Sequence, residues 1–235
     1  MSQRLWLSLA SLVSLFAVGS FFTFFSPSCA QGENAYKTMS LTPSLQNTSS
    51  AGKMTGSENL DTATFGTGCF WCTEAIFQQL KGVKKVSSGY SGGHVENPSY
   101  EEVCKGTTGH AECIEVVYNP QEITFDELLE VFWQTHDPTT LNRQGNDVGT
   151  QYRSVIFYHS QEQKQKAEKY KSELNKAGAF ADPIVTEISP AATFYVAENY
   201  HQNYYNNNGS APYCYFVIRP KLEKFTKVFK EKLKK

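Results

Sequence analysis

The stretch TFGTGCFWCTEAIFQQL, residues 64–80, predicts a strand, a tight turn and a helix. Residues 64–68 have the pattern of a short extended segment that turns sharply, because Gly66 and Gly68 carry no side chain. From Cys69 onwards the apolar residues recur at helical spacing and share one face: Phe70, Ile76, Phe77 and Leu80. We therefore expect residues 69–80 to form a helix that buries this face.

Strands and helices alternate through the rest of the chain. Strand patterns are found at residues 83–90, 112–118 and 152–159. Helices are expected at residues 125–136 after a Thr124 cap, 161–177 before Gly178, and 221–233. The predicted fold class is α+β: a two-layer α/β sandwich with a ferredoxin-like core and helices packed on a mixed sheet.

The first sixty residues have the composition of a leader and a linker. Residues 7–25 are apolar and uncharged, and the small residues Ser28 and Ala30 fit cleavage after Ala30 by a signal peptidase. The apolar run is also long enough to stay as a membrane anchor. We expect a signal peptide or anchor at 1–30, a flexible linker at 31–61 and the folded domain at 62–235. This organisation predicts an exported protein, periplasmic or otherwise extracytoplasmic, that is released or membrane-anchored.

Charge and cysteine content narrow the functional classes. The 235-residue chain has a formal net charge of -1, so it lacks the basic surface of a nucleic-acid-binding protein, and we expect no nucleic-acid partner. We expect the protein to be a monomer whose partners are small molecules and other proteins. The six cysteines are too few for a disulfide-stapled scaffold, which makes them candidates for chemistry.

The cysteine pair in GCFWC, residues 68–72, is the sharpest chemical feature. A cysteine at the first turn of a helix lies near unpaired backbone N–H groups and the positive end of the helix dipole, which favour the thiolate. Cys69 is therefore the expected nucleophile. Cys72 lies on the same helix face and could form a disulfide with an oxidised Cys69. Phe70 and Trp71 offer aromatic walls for an apolar pocket.

A structural zinc site is an alternative interpretation of this cysteine pair. Such sites usually contain a second closely spaced pair, whereas Cys104 and Cys113 are farther apart and Cys214 is solitary. We therefore expect no bound metal. Cys104 and Cys113 are interpreted as small buried core residues.

Four motifs resemble those of the peptide methionine sulfoxide reductase A family. They are GCFW at 68–71, GHAE at 109–112, NRQGNDVGTQYRS at 142–154 and YHQ at 200–202. The motifs follow the order of the family, and the resemblance runs from about residue 64 to residue 229. It implies that residues 62–235 form a catalytic domain without a bound cofactor. The implied reaction is reduction of the S epimer of methionine sulfoxide, free or in oxidised proteins that the enzyme repairs.

The resemblance implies that Cys69 attacks the sulfoxide sulfur and that Glu112 protonates the departing oxygen. In the strand ECIEVVY, residues 112–118, Glu112 shares an apolar face with Ile114, and burial there would raise its pKa. Alternation alone allows either this face or the opposite face, which carries Cys113, to point inward. The GHAE motif favours the Glu112 face.

The resemblance also includes Pro98-Ser99-Tyr100, and it assigns the remaining site residues to the sulfoxide group or to its support. They are the phenols that hydrogen-bond its oxygen, Tyr100 and Tyr152; an aspartate that supports the site, Asp147; and the aromatic residues that take the methyl group, Phe70 and Trp71.

Attack on the sulfoxide would leave Cys69 as a sulfenic acid, which condenses with a nearby thiol. Cys214 matches a position that many family members use for this step, and residues 206–209 could form a mobile segment that delivers it. Cys72 is nearer in sequence and replaces the glycine of the commoner GCFWG motif. The recycling thiol therefore remains open between Cys214, Cys72 and a relay through both. A thioredoxin-like protein or similar dithiol would reduce the disulfide.

A thiol-disulfide oxidoreductase that uses only the CxxC pair is the alternative function. Such an enzyme would exchange disulfides without Glu112 or a sulfoxide pocket.

Overall fold

The computed structural model describes residues 59–234. The predicted signal peptide or anchor at 1–30 lies outside the described residues, as does the predicted linker at 31–61 except for its last residues. Among residues 59–234, no helix is long and apolar enough to cross a membrane. The first strand begins at Asp61, close to the predicted domain start.

The elements follow the predicted alternation. The strands are β1 (Asp61–Thr67), β2 (Val83–Ser91), β3 (Ala111–Tyr118), β4 (Arg143–Gln144), β5 (Asp147–Val148), β6 (Ser154–Tyr158), β7 (Glu187–Pro190) and β8 (Tyr195–Val196). The helices are α1 (Phe70–Phe77), α2 (Tyr100–Cys104), α3 (Phe125–Thr135), α4 (Gln161–Lys176), α5 (Tyr204–Asn207) and α6 (Arg219–Val228). A π-helical turn, Cys214–Ile218, leads into α6.

Three predicted elements differ from the structure. The first helix is Phe70–Phe77 and not residues 69–80, since Cys69 is its N-cap and Gln78 its C-cap. Tyr152 lies in a 3₁₀ turn before β6 and not in the strand. The last helix ends at Val228 and not at residue 233, because the chain end pairs with the segment after α1. There the Lys81 N–H donates to the carbonyl of Lys232 across 2.8 Å.

The core of the sheet has the strand order β6-β1-β3-β2, in which all neighbours are antiparallel. With α1 after β1 and α3 after β3, this is the ferredoxin-like arrangement. β7 extends the sheet in parallel beside β6, and β8 extends it antiparallel beside β2. The predicted α+β sandwich with a mixed sheet is therefore confirmed.

Aromatic packing holds α1 and α3 on one face of the sheet. The ring of Phe65 in β1 lies 5.4 Å from Phe77 in α1 and 5.3 Å from Phe132 in α3, measured between ring centroids. All three side chains are fully buried, and burial of each contributes roughly 1.5–3 kcal/mol. This packing determines where the N-terminus of α1 lies relative to the sheet.

The helix start predicted from Thr124 and the helix end predicted from Gly178 are both confirmed. Thr124 caps α3, since its side chain accepts the Glu127 N–H while the Glu127 carboxylate accepts the Thr124 N–H. Gly178 follows α4 with φ 60°, a left-handed conformation that glycine adopts readily.

The turn from β1 into α1 requires glycine at position 68. Gly68 has φ 92°, and a Cβ atom there would lie 2.6 Å from Cβ of Gln144. Gln144 belongs to β4 and is held in place, since its amide donates to the Asp137 carbonyl across 3.0 Å. The β4–β5 hairpin therefore packs directly against the turn that precedes Cys69.

We expect Gly68→Ala to lower the free energy of unfolding by roughly 2–4 kcal/mol, because it adds backbone strain and a steric clash. Gly145→Ala is the matched control. Gly145 also has a positive φ, 60°, but a Cβ atom there would meet no other part of residues 59–234 within 4 Å, so only about 1 kcal/mol should be lost. Urea unfolding measures both values, and equal losses would contradict the predicted clash with Gln144.

Candidate active site

The Cys69 thiol lies at the N-terminus of α1. Cys69 is the N-cap residue, its carbonyl accepts the Cys72 N–H across 3.1 Å, and it is 8% exposed. The aromatic packing of α1 therefore places the predicted nucleophile at the surface of the core, with limited access from solvent.

A cavity of about 200 Å³ opens over this thiol. Its lining residues come from five parts of the chain: Cys69, Phe70, Trp71, Tyr100, Glu112, Asp147, Tyr152 and Tyr213. All except Tyr213 were singled out from the sequence motifs. Cys72 and Cys214 do not line the cavity but lie beside it. The structure thus brings the residues of separate motifs together at one site.

Glu112 forms the floor of the site and connects it to the sheet. Its side chain is on the buried face of β3, 1% exposed, and a carboxyl oxygen accepts the Phe70 N–H across 3.1 Å. Burial raises the Glu112 pKa to about 8, although the hydrogen bond from Phe70 opposes this effect. Glu112 is therefore a protonated acid at neutral pH and can donate a proton.

The phenols of Tyr100 and Tyr152 line the same cavity from different elements. Tyr100 is the first residue of α2, and its backbone N–H donates to Glu198 across 2.9 Å. Burial raises the pKa of both phenols well above the usual value. They remain protonated at neutral pH and can donate hydrogen bonds to an oxygen atom in the cavity.

Tyr213 is the lining residue that the sequence reasoning missed. Its hydroxyl donates to Asp147 across 2.9 Å and lies 3.9 Å from the Cys72 sulfur. It therefore links the β4–β5 hairpin to the cysteine pair. The chain has 13 tyrosines, and the signal that could have identified this one is its position directly before Cys214.

The two thiols of the CxxC pair share a hydrogen bond and have different acidities. Burial is the main cause of the raised Cys69 pKa, and the contact with Cys72 raises it further. The hydrogen bond from Cys69 lowers the Cys72 pKa. The helix terminus favours a Cys69 thiolate, whereas burial and the contact with Cys72 oppose it.

Cys214 lies in the same cluster as the CxxC pair. It is the first residue of the π-helical turn, is fully buried, and packs with Cys69 and Cys72. It is therefore part of a helix and not of a loop.

Cys113 is buried as predicted, but Cys104 is exposed at the end of α2. The prediction for Cys104 was wrong because α2 is short and its last residue lies at the surface.

Among residues 59–234, no three His, Cys, Asp or Glu side chains are placed to share a metal ion. The site instead combines a buried thiol, a protonated carboxyl group and two phenols around a small cavity. Such a set can attack an electrophilic centre and protonate an oxygen that leaves it. These features are those of an enzyme with a cysteine nucleophile and an acid catalyst, the class to which cysteine-dependent reductases belong.

Comparison with known proteins places the chain within this class. The family model described as peptide methionine sulfoxide reductase matches residues 61–233, and the chain belongs to this family. It is 52% identical over 175 residues to the peptide methionine sulfoxide reductase MsrA of Saccharolobus solfataricus, covering 74% of this chain and 98% of that protein. It is 53% identical over 189 residues to the Deinococcus radiodurans MsrA, covering 80% and 91%.

Solved structures of family members share the fold. Methionine sulfoxide reductase A of Corynebacterium diphtheriae has a TM-score of 0.58 and 41% identity, covering 67% of this chain and 79% of that one. Reduced Mxr1 from Saccharomyces cerevisiae has a TM-score of 0.60 and 37% identity, covering 66% and 89%. The predicted family and the predicted enzyme class are confirmed.

The Glu112 carboxyl should make stability depend on pH in a defined direction. Its pKa is about 8 in the folded protein against an ordinary 4.5, so between these values the folded state holds a proton that the unfolded chain has lost. The contribution of Glu112 to the free energy of unfolding therefore decreases as pH rises from about 5 to 9. Glu112→Gln stays neutral, and we expect it to be more stable than wild type at pH 9.

Urea unfolding of both proteins at pH 5 and pH 9 measures this difference. The stability gain of Glu112→Gln should shrink towards pH 5. A gain that is the same at both pH values would show that Glu112 does not titrate in this range.

Proposed function

We propose that the protein reduces the S epimer of methionine sulfoxide to methionine, free or within oxidised proteins, and thereby repairs those proteins. The observation that carries this proposal is that the Cys69 thiol and the protonated Glu112 carboxyl line one cavity. A nucleophile and an acid on the same small pocket match a reaction that attacks sulfur and removes oxygen.

In the proposed step the Cys69 sulfur attacks the sulfoxide sulfur, and Glu112 donates a proton to the oxygen. The S–O bond breaks, and the protonated oxygen passes to the Cys69 sulfur while the bond between Cys69 and the substrate sulfur breaks. The substrate sulfur gains two electrons and becomes a thioether, and Cys69 loses two electrons and becomes the sulfenic acid. Tyr100 and Tyr152 donate hydrogen bonds to the oxygen. The Cys69 proton can pass to Cys72, whose pKa is lowered by the hydrogen bond from Cys69.

The remaining lining residues fit the other parts of the substrate. Phe70 and Trp71 bound the side of the cavity that would take the methyl group, while Asp147 supports the site through its hydrogen bond from Tyr213. A cavity of about 200 Å³ encloses the sulfoxide end of the side chain. The backbone of the substrate stays outside, which suits both free and protein-bound methionine sulfoxide.

We propose Cys72 as the first recycling thiol. It lies one helical turn from Cys69 in the same buried cluster, and its pKa is lowered by the interaction with that thiol. Cys72 attacks the sulfenic sulfur, the Cys69–Cys72 disulfide forms, and water leaves. Cys214 packs against both residues and can continue the relay. Two electrons from an external dithiol, a thioredoxin-like protein, restore the thiols.

A thiol-disulfide exchange enzyme built on the same pair fits the geometry less well. Its attacking cysteine must reach a disulfide in another protein as a thiolate, whereas Cys69 is 8% exposed and its pKa is raised.

We further propose, from the pattern of residues 1–30, that the enzyme acts outside the cytoplasm. We also propose that it is a monomer. Intact-mass analysis of the mature protein shows whether cleavage occurs after Ala30.

Glu112→Gln should slow the reductase step by roughly 10²–10⁴-fold, because the variant cannot donate the proton. In the wild type the rate of methionine formation in a single turnover should fall as pH rises through about 8, where Glu112 loses its proton. The variant should lose this dependence. Cys69→Ser is expected to abolish turnover, and methionine formation by that variant would refute the proposed nucleophile.

Cys72→Ser should release one methionine per enzyme, more slowly than the wild type because Cys72 no longer accepts the Cys69 proton. It should then stop at a Cys69 sulfenic acid, because the thiol that attacks this acid is absent. Cys214→Ser is the matched control and should still form the Cys69–Cys72 disulfide. Trapping with a sulfenic-acid reagent and disulfide mapping by mass spectrometry distinguish the two variants. Rapid formation of a Cys69–Cys214 disulfide in Cys72→Ser would instead assign resolution to Cys214.

A further inference from the structure

The indole of Trp71 is held on several sides by residues around the cavity. Its ring nitrogen donates to His201 Nδ1 across 3.0 Å. Its face stacks on the ring of Tyr204, with ring centroids 3.8 Å apart and planes inclined by 8°. Tyr213 contacts its edge at 5.7 Å. The wall of the pocket therefore depends on the segment around residues 201–204.

Glu74 fixes this segment to α1. Its carboxyl oxygens accept the backbone N–H groups of Asn203, across 2.8 Å, and of Tyr204, across 3.3 Å. Asn203 has φ 54°, a left-handed conformation that is uncommon for residues other than glycine. Glu74 is 2% exposed, so the two N–H groups are bound in a buried site. The left-handed turn directly precedes the stacked ring.

The other end of the segment is fixed by its own contacts. His201 is 1% exposed, and burial lowers its pKa, which keeps the imidazole neutral so that Nδ1 can accept the indole N–H. Gln202 accepts the Ser88 N–H across 3.0 Å and so ties the segment to β2. Trp71 is thus held between α1 and residues 201–204, and this segment is itself hydrogen-bonded to β2.

We propose that Glu74 and Tyr204 are positioning residues that set the width of the methyl pocket by fixing the Trp71 indole. They would thereby make the enzyme select methyl sulfoxides over sulfoxides with larger alkyl groups. This inference rests on the proposed function, in which Trp71 bounds the methyl group. Neither Glu74 nor Tyr204 lines the cavity, so their effect is expected through the position of the indole.

The expected effects follow from what each substitution removes. Tyr204→Leu removes the flat surface on which the indole stacks. Glu74→Gln replaces one acceptor oxygen by an amide that cannot accept an N–H bond, so one of the two N–H groups loses its partner. Either change frees Trp71 to move outward. Tyr204→Phe is the matched control, because it keeps the stacked ring.

The test compares kcat/KM for an aryl methyl sulfoxide and its ethyl homologue, both as S enantiomers. One added methylene in a tight apolar pocket changes kcat/KM by roughly 10–200-fold, so the wild type should prefer the methyl compound. Tyr204→Leu and Glu74→Gln should each lower the methyl-to-ethyl ratio by about tenfold, and Tyr204→Phe should keep it. The ratio is measured on one sample, so partial unfolding cancels.

The possible outcomes distinguish a failure of this inference from a failure of the proposed function. Discrimination in the wild type that persists in Tyr204→Leu and Glu74→Gln would overturn the positioning role and leave the methyl pocket intact. A wild type without discrimination would overturn the assignment of Trp71 to the methyl pocket, and the inference with it. Reduction of neither sulfoxide by the wild type would overturn the proposed function itself.

Discussion

The hydrogen bond from the Phe70 N–H to the Glu112 carboxyl, 3.1 Å long, joins the first turn of α1 to the buried face of β3. It brings the residue after the nucleophile into contact with the proton donor, so the two groups that must act on one substrate are held by a helix and a strand. Neither element can shift without breaking a buried bond. The position of Cys69 relative to Glu112 depends on this junction, whereas burial keeps Glu112 protonated against the effect of the same hydrogen bond.

Burial of the polar groups of the site lowers the stability of the fold, but the same burial sets the pKa values that the chemistry needs. A buried carboxyl group, two buried thiols and several phenols lose hydration, which raises the pKa values of Cys69 and Glu112 in particular. Burial of the aromatic core around Phe65 offsets this cost and makes α1 rigid. Proteins commonly accept such local destabilisation where a reactive group must be preorganised.

Local patterns predicted the strand, turn and helix at residues 64–80, because the glycines and the helical spacing of apolar residues act within one segment. The alternation of apolar and polar residues could not show which face of β3 carries the site, because both faces of this strand are covered. Glu112 and Cys113, on opposite faces, are both 1% exposed. Tyr213 and Glu74 escaped notice because their partners lie far away in sequence. The burial that raises the Cys69 pKa depends on tertiary packing, which a motif does not reveal.

Glu112 carries a proton beside Cys69 at neutral pH, because burial raises its pKa to about 8. Difference infrared spectroscopy of the wild type against Glu112→Gln measures this directly, because a protonated carboxylic acid and a carboxylate absorb at separate C=O frequencies. The structure predicts a protonated-acid band at pH 7 that converts to the carboxylate band as pH passes about 8. A carboxylate band already present in full at pH 6 would contradict the account.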